Sequence, residues 1–108
     1  MVETQWYHLI AYFFGGAFLM NKLPHLVSGV TGNPFPTPFA SPPGKGLSPP
    51  LANVLWAAFN LLVAYLLLCH VGEFEPRRTT HVAALGLGMF LIAALSALVF
   101  RRPRSGGP

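Results

Sequence analysis

Charge is scarce in this chain. Charged residues make up 9% of its 108 residues, whereas a soluble globular domain carries about a quarter. A water-soluble fold of this composition would expose broad apolar patches, which a lipid covering would remove. Only three residues are acidic, Glu3, Glu73 and Glu75, and none lies inside a long apolar run. The lack of an intramembrane carboxylate argues against proton-coupled transport, which usually places an acid there. There is a single cysteine, Cys69, so no internal disulfide forms. It sits in an apolar run, where a free cysteine is expected to behave as a small buried hydrophobe. Catalytic signatures are missing too: there is no glycine-rich phosphate loop, no HExxH and no GxSxG. Ser28, Ser41, Ser48, Ser96 and Ser105 stand outside any nucleophile motif. No catalysis of its own is expected.

The N-terminal Met1-Val2-Glu3-Thr4-Gln5 has no basic residue. A cleaved signal peptide begins with one, so the first apolar segment is expected to stay in the mature protein.

What is present is apolar: 53% of the chain is hydrophobic. Residues 51–71 form an uncharged run of about 21 residues, and 82–100 a second of about 19. Each is long enough to cross about 30 Å of hydrocarbon as a helix. Ser48 or Pro49-Pro50 supplies the start of the earlier helix and Gly72 its stop. Thr79 or Thr80 caps the later one, and Arg101-Arg102 closes it at a headgroup boundary. A further segment opens with Trp6 and Tyr7, suited to an interfacial aromatic belt, but its unbroken apolar stretch ends at Met20. Leu23, Leu26, Val27 and Val30 continue an apolar face at helical spacing. The helix is therefore expected to run on to Val30, with Pro24 as a kink.

The expected fold is all-α, one membrane domain with three transmembrane helices over about 5–30, 51–71 and 80–100, and a basic tail at 101–108. A proline-rich loop, about 31–50, separates the first two; its prolines at 34, 36, 38, 42, 43, 49 and 50 exclude regular helix or strand. Flexible linkers are usually charged and poor in aromatics. This loop holds one charge, Lys45, and two phenylalanines, Phe35 and Phe39. It is expected to be ordered, lying on the end of the bundle or in the headgroup region. The short polar link at 72–80 is expected to make the second and third helices antiparallel neighbours.

Basic residues orient the chain. In a three-span topology Lys22, Lys45, Arg101, Arg102 and Arg104 share one side, and only Arg77 and Arg78 lie on the other. The excess places the C-terminus in the cytoplasm, in a cell membrane of the bacterial inner-membrane kind. The basic residues flank apolar runs instead of gathering on one face, so no nucleic-acid partner is expected.

Three groups of residues stand out. His8, His70 and His81 fall near one membrane face, and histidines on separate helices can ligate a metal or a haem iron. Asn21 and His25 share a helix face at i, i+4, and Asn53 and Asn60 share another. Near one another, these four either hydrogen-bond between helices or line a small-molecule, quinone or ion path. Ala84, Gly88, Ala93 and Ala97 form small-xxx-small pairs that permit close helix packing, within the chain or against a partner. The leading expectation is an accessory or structural subunit of a larger membrane complex, with the lipid bilayer and other membrane proteins as partners. The alternatives are a homo-oligomeric transporter or channel-like protein, and a haem- or metal-binding redox carrier.

Overall fold

A computed structural model describes residues 3–101 of the protein. The basic residues Arg102 and Arg104 of the tail lie outside the described residues. Three α-helices carry the fold: α1 (Trp6–Val30), α2 (Pro50–Leu66) and α3 (Thr79–Val99). No strand occurs among the described residues. A π-helical turn, Leu67–Val71, continues α2 without a break.

Local chemistry sets the helix ends. At the start of α1 the main-chain N–H of Gln5 donates to His8 Nδ1 at 2.9 Å, a side chain from the first turn reaching back to satisfy an otherwise orphaned donor. α1 passes through Asn21, Lys22 and Pro24 and ends on a left-handed glycine, Gly32, at φ 76°. There Gly32 N–H donates to Gly29 O at 3.1 Å and Asn33 N–H to Ser28 O at 2.8 Å, which closes two of the last free carbonyls of the helix. α2 begins on Pro49 and Pro50, where a missing N–H costs nothing. α3 begins directly after Arg78 with no side-chain cap, so neither Thr79 nor Thr80 plays the capping part the sequence suggested.

Helix order in space differs from helix order in sequence. α1 packs along both α2 and α3, while no Cα atoms of α2 and α3 approach within 8 Å. The expected pairing of the second and third helices is therefore replaced by a layer with α1 in the middle. Composition accounts for this. Residues Pro50–Val71 and Thr79–Val99 are long and apolar enough to cross a membrane, with mean hydropathies of 2.1 and 2.4. α1 carries Asn21, Lys22, Pro24 and His25 and gains most from being flanked on two sides.

The layer buries small and polar residues and turns large apolar ones outward. On α2 the stripe facing α1 is Asn53, Ala57, Asn60 and Ala64, whereas Leu51, Leu55, Leu62 and Tyr65 are exposed. Cys69 is exposed as well, a correction to the expectation of a buried thiol. On α3 only His81 and Gly88 are buried, and Phe90 is 69% exposed.

Close approach depends on glycine at two positions. A Cβ on Gly88 would strike the main chain of α1 at Phe13 O, and one on Gly16 would strike Leu85 O on α3. The two backbones touch reciprocally, and only glycine permits this distance. Of the small residues singled out on α3, Gly88 is thus used inside the chain; Ala84 and Ala93 are half-buried and Ala97 is exposed.

Candidate functional site

The buried polar groups form two clusters at opposite ends of α1. At its N-terminal end His81 is 1% exposed. Its Nδ1 accepts the main-chain N–H of Glu75 at 3.0 Å, so Nε2 is the nitrogen left to face the Thr4 hydroxyl at 2.8 Å. Tyr12 lies against His81 and Phe74, with ring centroids 4.6 and 5.4 Å apart. Gly72 makes room for it, since a Cβ there would run into the phenol ring.

Each of the three histidines engages its own neighbours. His8 caps α1, and His81 joins the N-terminal segment to the 72–78 link. His70 engages Tyr65 on its own helix at 3.3 Å. The π-helical turn explains that pairing, because it brings residues five apart into register. Among the described residues no three His, Cys, Asp or Glu side chains gather into a group able to hold a metal ion.

At the other end, the four polar residues read from the sequence meet in two pairs across α1 and α2. Asn21 Nδ2 donates to Asn60 Oδ1 at 3.0 Å, and Asn60 Nδ2 donates to Trp56 O at 2.7 Å. His25 Nδ1 lies 2.8 Å from Asn53 Oδ1. Asn53 Nδ2 is within 3.0 to 3.2 Å of three carbonyls, those of Phe35, Ser48 and Pro49. Those carbonyls fix the amide orientation, so His25 Nδ1 must be the donor to Asn53. Asn53 and Asn60 are each 0% exposed.

The proline-rich loop folds over this cluster. Phe35 and Ser48 exchange main-chain hydrogen bonds at 3.2 and 3.0 Å. The Thr37 and Ser48 hydroxyls meet at 2.6 Å, and Thr37 O receives the N–H groups of Ala40 and Gly44. Sequence reasoning passed over Thr37, which is 1% exposed. Its signal in the sequence was a hydroxyl with a proline on each side, Pro36 and Pro38, in a segment with few donors of its own.

Beneath the loop lies a cavity of about 170 Å³, lined by Asn21, His25, Pro36, Thr37, Trp56 and Phe100 among others. His25 is 4% exposed, and no described residue engages its Nε2. On the outer side of Trp56 runs an apolar groove of about 480 Å³ formed with Phe39, Ala52, Leu55 and Phe59. Trp56 stacks on Phe59 at 5.5 Å and meets Phe39 edge-on at 5.2 Å. Comparison of the chain with known protein families, with curated proteins and with solved structures finds no match.

Proposed function

We propose that the chain is a three-span membrane protein that acts as a non-catalytic component of a larger membrane assembly. The outward-facing apolar side chains and the inward-facing Asn53, Asn60 and His25 support a lipid setting, because uncovered polar groups in hydrocarbon are costly. α1 spans 25 residues, enough at 1.5 Å per residue to cross a bilayer. In this topology the side with more basic residues, which carries the proline-rich loop and the C-terminus, faces the cytoplasm.

The observation that carries the association reading is the open layer. With α2 and α3 apart, α1 is uncovered between them, and a groove of about 280 Å³ formed by Phe14, Ala17, Phe18, Asn21 and Ile92 opens there. Asn21 is half-buried at this groove, and among the described residues only its Nδ2 finds a partner. An amide so placed gains from a protein surface over it. The test is extraction in several mild detergents with native mass measurement and identification of co-purifying chains. A stoichiometric partner or a second copy is the expected result. A lone monomer in every detergent, with no partner cross-linked in cells, would overturn the reading.

A further inference from the structure

We infer that the cavity beneath the proline-rich loop binds the hydroxyl head of an apolar-tailed amphiphile, with His25 Nε2 as the hydrogen-bond acceptor. The argument begins with the ring itself. Nδ1–H donates to Asn53 Oδ1, which leaves Nε2 as the second hydrogen-bonding position, an acceptor in the neutral imidazole. That nitrogen belongs to a side chain 96% removed from solvent by the loop and helices. Unlike the indole nitrogen of Trp56, it is not sealed from accessible space. His25 lines the cavity, whose other walls are Pro36, Pro38, Trp56 and Phe100 together with Asn21, Thr37 and Gly44. A buried acceptor among apolar walls selects a donor carried on an apolar body.

Shape supports the same class. The cavity, about 170 Å³, suits a single ring or short polar head. Trp56 forms a wall of both the cavity and the longer apolar groove with Phe39, Leu55 and Phe59. A head under the loop and a tail along the outer face of α2 would therefore lie on either side of one residue. The loop end of α2 is also the end of a candidate span, the depth at which the heads of amphiphiles sit in a bilayer. The shared chemistry is a hydroxyl donor on a hydrophobic tail, supplied either by a hydroquinone or by an aliphatic lipid alcohol.

This inference rests on the membrane placement proposed above, and the two fail separately. Alkaline carbonate extraction tests the placement, and ligand binding tests the cavity. The whole protein is reconstituted in phosphatidylcholine nanodiscs and titrated calorimetrically with an alkyl hydroquinone, its dimethyl ether, and an alkanol of equal chain length. Saturable binding of the hydroquinone, roughly tenfold tighter than the ether that lacks its donors, is expected. Tighter binding of the hydroquinone than of the alkanol identifies the aromatic source, and the reverse identifies the aliphatic one. Equal affinity for hydroquinone and ether, or only non-saturable partitioning of all three, overturns the inference. His25→Phe should abolish the preference for hydroxyl over ether. The ligand-side comparison on the unaltered protein decides the matter even if that variant fails to fold.

Discussion

His25 Nδ1 and Asn53 Oδ1 lie 2.8 Å apart, and through this one bond α1, α2 and the proline-rich loop share a single knot. Asn53 is its centre, because its Nδ2 also holds the carbonyls of Phe35, Ser48 and Pro49. A loop with seven prolines has few N–H groups to make a ladder of its own. Its order must come from elsewhere, and a side-chain amide buried at the end of α2 supplies it.

Replacing Asn53 with leucine should therefore do more than remove one bond. The His25 ring loses its partner, and the carbonyls of Phe35, Ser48 and Pro49 each lose a second hydrogen bond while keeping a main-chain one, a cost of about 2 kcal/mol. Asn60→Leu removes the contact to Asn21 and a bond within its own turn, a loss of about 0.6 kcal/mol typical of interhelical bonds in membranes. Unfolding in mixed micelles compares the two. Limited proteolysis over 33–48 should accelerate for the Asn53 variant and stay near wild type for the Asn60 variant. Equal stability loss in both would show that Asn53 is no anchor.

Two glycines of α3, two residues apart, offer a paired test. At Gly88 an added side chain meets the α1 main chain at Phe13 and Ala17, whereas a Cβ at Gly86 meets nothing within 4 Å. Gly88→Leu should separate α1 from α3 and cost about 2 kcal/mol, in the range of overpacked sites. Gly86→Leu should leave both helices in place. Membrane insertion should be normal for both, since leucine inserts readily. Disulfide trapping between cysteines introduced on α1 and α3 reads the separation; trapping that persists in the Gly88 variant would refute the close approach.

Much of this arrangement was legible in the sequence, for physical reasons that also mark where the reading stops. The apolar runs and the prolines and glycines at their ends gave the helices. The i, i+4 spacing of Asn21 and His25 and the stripe of Asn53 and Asn60 identified the groups that meet. The position of α1 between its partners was not legible, because a short link at 72–78 suggests adjacency and the glycine contacts that override it, Gly16 to Leu85 and Gly88 to Phe13, are long-range. The partners of the histidines were not legible for a related reason. His8 and His81 share one end of the fold as their positions implied, but their ring nitrogens go to main-chain and hydroxyl partners that no side-chain spacing reveals.

Topology makes a separate prediction. Lys22, Lys45 and Arg101 lie toward the end of the fold that holds the loop, and Arg77 and Arg78 lie in the link between α2 and α3. Reporter fusions after residue 104 and within 72–78 should report opposite sides of the membrane, with the former in the cytoplasm. Carbonate washing should leave the chain in the pellet. Both fusions on one side would remove α3 as a span, and release into the supernatant would remove the membrane placement.

The open face of α1 predicts where a neighbour binds. Phe14 is 48% exposed and borders the groove shared with Asn21 and Ile92. Phe90, 69% exposed, stands on α3 outside that groove. Both rings meet lipid if the protein is alone, and only Phe14 meets protein if a partner covers the amide of Asn21. A photo-reactive phenylalanine analogue at each position in turn distinguishes these cases in living cells. The analogue at Phe14 should yield a discrete protein adduct, and the one at Phe90 should yield lipid adducts alone. Asn21→Leu should weaken the Phe14 adduct several-fold, because the groove then offers lipid an entirely apolar surface and a partner loses its hydrogen-bonding site. Lipid adducts alone from Phe14 would mean that the groove faces the bilayer, and the association proposal would then lose the observation on which it stands.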